Sequence, residues 1–159
     1  MILTALALVP SAAHLFELPH KIALTEEQYF VVQSIYRGWS LFGAVIIAAI
    51  LANLLLARML FLRRKNCWFG LAAGLILAGT LAIFFTWTYP ANQATDNWAI
   101  VTADWESLRS QWEFSHAANA VLTFIALCCV ALSAARSVDC SNPPSRRAAA
   151  SSVPDRRDS

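Results

Sequence analysis

Two short pairs of residues in this chain have the types and the spacing that chemistry requires. One is His14-x-x-Glu17 and the other is Glu113-x-x-His116. On a helix, residues three apart project from the same face, so each pair can serve one ligand or one proton relay. A Glu-x-x-His pair on a bundle helix is also half of a carboxylate-bridged di-metal site. The full site needs two further carboxylates from other helices, and the apolar stretches 38–57 and 66–95 contain none. A single metal ion held by His14, Glu17, Glu113 and His116 remains chemically feasible, because these are nitrogen and oxygen ligands. The plainer reading of the same residues is a buried Glu–His hydrogen bond that clamps the first helix to the last. The spacing leaves both open.

Other polar and aromatic residues fall into register with these pairs. Helical periodicity groups Thr4, Ser11 and His14 on one stripe, and Gln33, Tyr36, Ser40 and Gly43 on a second. Trp105, Arg109, Trp112, Glu113, His116 and Thr123 form a third. Polar groups in membrane segments face a bundle interior, so the stripes are expected to meet beneath a lid made from residues 90–105. Trp98, Trp105 and Trp112 recur every seven residues, either as an interfacial aromatic belt or, with Tyr36, as a wall for a flat aromatic ligand. His20, after Pro19 and beside Lys21, reads as a solvated residue at the membrane surface. Gly70-x-x-x-Gly74 reads as a packing groove inside one bundle. The adjacent Cys128 and Cys129 read as apolar fillers.

The elements that must position these residues follow from composition. The 159 residues are 58% hydrophobic and 14% charged, where soluble domains carry about 25% charge. The deficit is concentrated in three uncharged stretches, 38–57, 66–95 and 117–135, each close to the span of about 20 residues that crosses a bilayer core. An ordinary soluble enzyme, a disordered chain and a disulfide scaffold are excluded. The net charge of +2 argues against a nucleic-acid partner. Residues 1–16 are apolar and lack the basic start of a signal peptide, so they read as a further helix. The expected fold is all-α, a four-transmembrane-helix bundle over residues 1–135 with an outer loop or helix between helices 3 and 4. Thr25 with Gln28 is a capping-box pattern, which predicts a second helix running from there into the 38–57 span. The third helix is expected over about 67–89, ended by Pro90. The fourth span is expected over about 114–135, entered by a helix with Thr102 as its N-cap. Residues 136–159, with Pro143, Pro144, Pro154 and no aromatic residue, read as a disordered tail. Basic residues crowd the 58–65 loop and the tail, which predicts that both termini are cytoplasmic.

Three stretches carry a resemblance: AHLFELPHKIALTEEQYFVVQSIYRGW (13–39), YPANQATDNW (89–98) and DWESLRSQWEFSHAANA (104–120). Together they resemble the anthrone oxygenase-like family of small four-helix integral membrane proteins, whose members are mostly bacterial proteins of unknown function. The match is distributed over about residues 13–135. It implies a bacterial inner (plasma) membrane location and a cofactor-independent oxygenase acting on an apolar, anthrone- or quinone-like molecule in an outer-leaflet pocket. It singles out Asn92, Trp105, Arg109 and His116. The implied chemistry needs a base, for which His116 oriented by Glu113 is the first choice, and a donor to an enolate oxygen, Arg109 or Asn92. Tyr36, Trp98, Trp105 and Trp112 would stack on the substrate. A non-catalytic ligand-binding or accessory subunit is the alternative. An ion path is poorly supported, because Asn53 and Asn119 are the only strongly polar mid-span residues.

Overall fold

The structure, a computed structural model, describes residues 1–139. Four helices are long and apolar enough to cross a membrane: Ile2–Lys21, Trp39–Leu62, Trp68–Ala94 and Trp105–Arg136. The chain is an all-α, integral-membrane-type bundle. Its regular elements are α1 (Ile2–Lys21), α2 (Glu26–Gln33), α3 (Phe42–Leu62), α4 (Trp68–Ile83), α5 (Tyr89–Ala94) and α6 (Trp105–Asp139). The long helices form a closed ring in which α6 packs on α1 and α4, and α3 packs on the other side of both. Lipid is as apolar as leucine, so such helices associate by close packing of small residues. Ala49, Ala73, Leu77, Ala126 and Val130 form the buried core. A Cβ at Gly74 would lie 2.7 Å from Leu54 Cδ2, and one at Gly70 would lie 3.4 Å from the Ala57 nitrogen. The GxxxG pair therefore joins α4 to α3 within the bundle. Asn53 ties α3 to α1 by donating to Thr4 Oγ1 at 3.1 Å. The outward faces carry exposed Leu51, Leu55, Leu75 and Phe124, as a lipid-facing surface requires.

Three boundaries differ from the sequence expectation. The helix that begins at Thr25 does have its predicted start, with the Thr25 N–H donating to Gln28 Oε1 at 3.2 Å. It does not run into the following span. It stops at Gln33, and two 3₁₀ turns, Ser34–Tyr36 and Trp39–Leu41, flank Gly38 at φ +89°. A left-handed glycine breaks the α-helical path, so α2 lies apart from α3. Pro90 does not end the third span. The segment Phe84–Thr88 widens into a π-helix in which the Tyr89 N–H bonds the Phe84 carbonyl. Pro90 then sits in the first turn of α5, where its missing N–H leaves no bond broken. Finally, α6 extends to Asp139, so residues 136–139 continue the helix rather than open a tail. The remainder of the expected tail lies outside the described residues.

After α5 the chain makes a left-handed corner: Asp96, Asn97 and Trp98 have φ of 47°, 54° and 63°. Non-glycine residues enter this region at a cost and only where surrounding contacts hold them there. The Trp98 N–H bonds Thr95 Oγ1 at 3.1 Å, the Asn97 N–H bonds the Asn92 carbonyl at 2.7 Å, and the Trp98 ring is buried. The predicted cap at Thr102 is not made. Its Oγ1 is buried without a partner, and α6 starts with the Ser107 N–H on the Asp104 carbonyl.

Candidate functional site

The end of α1 and the start of α6 face each other, as the paired spacing predicted. His14, Glu17 and Lys21 share one face of α1. Arg109, Trp112, Glu113 and His116 share the facing side of α6. The His14 and His116 rings are 4.2 Å apart at 33°, and Trp112 lies 4.1 Å from His116 and edge-on to His14 at 5.0 Å. The break at Gly38 turns Tyr36 and Trp39 inward, and Tyr36 comes within 4.5 Å of the His14 ring.

The charge centre of this cluster is an ion pair. Lys21 Nζ is 2.7 Å from Glu113 Oε1, with side-chain exposures of 4% and 0%. The Tyr29 hydroxyl donates to the same carboxylate oxygen at 3.0 Å, and Gln33 Nε2 donates to Tyr29. Lys21 also donates to the Tyr36 hydroxyl at 3.2 Å, and Tyr36 donates to Glu17. Around the ammonium stand the rings of Tyr36, Trp112 and Tyr29, at 4.4, 4.7 and 5.6 Å. A buried carboxylate without a partner would cost several kcal/mol, and Lys21 removes that cost by neutralising it. Tyr29 and Tyr36 lie outside the spans. Burial, reinforced by Glu113 beside Tyr29 and Glu17 beside Tyr36, raises both phenols far above their ordinary range. They are hydrogen-bond donors, not phenolates.

This geometry revises several sequence assignments. His14, Glu17, Glu113 and His116 do converge on one region, but not as a ligand set. Among the described residues no three His, Cys, Asp or Glu side chains gather as a metal ion requires. The physical reason is Lys21, whose ammonium supplies beside Glu113 the positive charge that a metal ion would bring. Glu113 does not orient His116, because the recorded partners of its carboxylate are Lys21 and Tyr29. Arg109 is a clamp: its Nη1 donates to the Leu24 carbonyl at 2.8 Å and its guanidinium stacks 4.6 Å from Trp105. Asn92 is a second clamp, with Oδ1 accepting from the Trp112 indole at 2.8 Å and the Trp98 indole at 3.2 Å. Trp98 and Trp112 are buried with Tyr29 and Ala91, and Trp105 packs against that cluster, so the three tryptophans are an inner wall rather than a lipid-facing belt. Trp112 alone of the three touches the histidine pair. The cover over the cluster is shared between α2, which contributes Tyr29 and Phe30, and the Trp98 corner.

Lys21 and Tyr29 are the residues that sequence reasoning missed. A signal for Lys21 existed: it follows His14 by seven and Glu17 by four, the spacing of one helical face. Its neighbour His20 is exposed, as expected, and that drew the whole dipeptide to the surface. Tyr29 lies one turn before Gln33 on α2, and both are buried. Four buried atoms in the cluster, Glu113 Oε2, His14 Nδ1, Gln33 Oε1 and Arg109 Nε, have no hydrogen-bond partner. Such atoms are rare in folded proteins and mark places that a ligand or water completes. No family model matches this chain, and neither a curated protein nor a solved structure does.

Proposed function

We propose that this membrane protein binds a flat, phenolic, enolisable molecule between α1 and α6 and catalyses its oxidation by O2. The observation that carries the reading is the stacked His14–His116 pair set beside the Lys21–Glu113 ion pair, with His14 Nδ1 and Glu113 Oε2 unpartnered. Ionisable groups buried among membrane helices are costly and are retained at functional sites. A neutral imidazole nitrogen accepts a proton, which suits His116 to removing one from an acidic ring CH2. Tyr36, whose ring lies 4.5 Å from that of His14, and Lys21, which donates to it, take the oxyanion role first given to Arg109 and Asn92. Tyr36, Trp39 and Trp112 offer stacking faces. The resemblance to anthrone oxygenases supports the same substrate class.

The reaction balances without another reductant. His116 takes the ring CH2 proton, and the carbanion gives electrons to O2 and forms a carbon–oxygen bond. The protonated peroxide then loses water, leaving a ketone, so that anthrone and O2 become anthraquinone and water. In this reading both termini are cytoplasmic, the membrane is a bacterial inner membrane, and the site lies in its outer half. Ligand retention without turnover is the competing reading, favoured by the direct packing of Trp98, Trp112 and Tyr29 on one another. The test is O2 uptake and anthraquinone absorbance with 1,8-dihydroxyanthrone, using the full chain in lipid nanodiscs. Turnover above the uncatalysed rate that falls about 100-fold in His116→Ala supports catalysis. Quenching of tryptophan fluorescence by the probe at the uncatalysed oxidation rate supports the accessory reading instead.

A further inference from the structure

The hydrogen bonds around Glu113 have a direction, and the direction has a chemical meaning. Lys21 donates to the Tyr36 oxygen, and the Tyr36 hydroxyl donates to Glu17 Oε2. Lys21 thus stands between the fully buried Glu113, to which it is ion-paired on the inner side, and Tyr36, which leads on to the half-buried Glu17. The other branch runs the opposite way. Gln33 donates to Tyr29, and Tyr29 donates to Glu113. That branch ends in an amide, which holds its protons and passes none on. Glu113 Oε2, buried and unpartnered, is the open acceptor at the inner end.

We infer that Lys21, Tyr36 and Glu17 form a proton path between Glu113 and the membrane surface. A proton that binds Glu113 Oε2 discharges the carboxylate. Lys21 then passes one ammonium proton to the Tyr36 oxygen as the Tyr36 hydroxyl proton moves to Glu17. The carboxyl proton of Glu113 refills the Lys21 amine, and Glu17 releases its proton to water. One proton enters, one leaves, and no electrons move. Tyr36 acts by accepting and donating in a single step, since its half-buried phenol does not stand as a phenolate. The titratable and charged groups around Glu113 are Glu17 and Lys21 from α1, Tyr29 from α2, Tyr36 from the following turn, and Arg109 and His116 from its own helix. Of these, Lys21 is hydrogen-bonded both to Glu113 and to an outward acceptor. The path is independent of the proposed oxidation, whose two CH2 hydrogens both leave in water.

The test therefore adds no substrate. The full chain in nanodiscs is given a rapid pH jump, and protonation of Glu113 is followed by its infrared carboxyl band, assigned by its loss in Glu113→Gln. Tyr36→Phe keeps the ring beside Lys21 and removes the relay oxygen. It is expected to slow the protonation of Glu113 about 100-fold, the scale of one positioned proton-transfer group. Glu17→Gln is expected to slow it comparably and carries the test if Tyr36→Phe does not fold. Tyr29→Phe, on the closed branch, is expected to leave the rate at the wild-type value. Wild-type rates in both Tyr36→Phe and Glu17→Gln overturn the path, as does equal slowing in Tyr29→Phe or a Glu113 band that never responds to pH. A chain that lacks oxidase turnover but shows this pattern keeps the path and loses only the assigned reaction.

Discussion

The two ends of this bundle are built on different physics. Around Ala49, Ala73, Leu77, Ala126 and Val130, helices meet through small apolar side chains, and the polar tie between Asn53 and Thr4 is satisfied. Around Glu113, the same helices α1 and α6 meet through charges, phenols and aromatic rings, and several polar atoms are left without partners. The first end holds by shape and the second by charge balance. Stability alone does not require the second arrangement, since well-packed apolar residues of similar volume commonly replace a buried ion pair at no loss. The difference is the reason the proposed site is assigned to the charged end.

The sharpest way to break this contrast is to remove one member of the ion pair. Glu113→Ala leaves the Lys21 ammonium buried and uncompensated, and is expected to cost about 3–5 kcal/mol in reversible unfolding in detergent. The double change Lys21→Met with Glu113→Leu is expected to recover most of that loss while abolishing any activity. A single variant as stable as the wild type would mean that the charged end is not held by charge balance. At the other end volume is the sensitive quantity. Gly74→Val drives a branched side chain into Leu54, and overpacking of this kind costs about 1–3 kcal/mol. A second change, Leu54→Ala, should relieve it, and failure to do so would place the α3–α4 contact elsewhere.

Smaller effects separate the polar ties of the two ends. Asn53→Ala removes one hydrogen bond between α3 and α1, and such bonds in membranes average about 0.6 kcal/mol. Asn92→Ala strands two indole N–H groups at once, so thermal unfolding should show a loss larger than that of Asn53→Ala. Equal losses would erase the distinction. The smallest effect at neutral pH comes from the phenols. Their folded pKa is raised above the unfolded value, so the stability that Tyr29 and Tyr36 contribute is complete below about pH 10 and declines above it. Ultraviolet titration should show tyrosinate forming late, with unfolding, and Tyr29→Phe should remove part of that alkaline decline.

Much of this architecture was legible because its signals are long. Uncharged runs near 20 residues leave little choice but a spanning helix, and stripes such as Thr4–Ser11–His14 place a buried face by periodicity alone. The meeting of His14 with His116 followed from the scarcity of partners at that depth. What escaped was short-range or long-range in kind. Gly38 and Pro90 act on one turn each, and their outcome depends on which backbone groups the neighbouring turn re-pairs. Lys21 looked like a surface residue because its partner Glu113 lies on the last helix, and nothing local to residue 21 reveals it. The same blindness produced the metal reading. Two Glu and two His at suitable spacing are consistent with a cation between them, and the cation in the structure is Lys21 of the chain itself.

That partnership also bears on how the protein is made. Lys21 closes α1, and Glu113 belongs to α6, which leaves the ribosome later. Until α6 enters the membrane, the Lys21 ammonium has no buried carboxylate to meet. A lysine at a helix end can wait by extending its long stem to the water interface. Glu113 has a short side chain and sits well inside its helix, so it does not have that refuge. Biogenesis therefore has an order in which α1 arrives early with its charge held at the interface. The late helix then draws that charge inward, and the charged cluster forms only once α6 is in place.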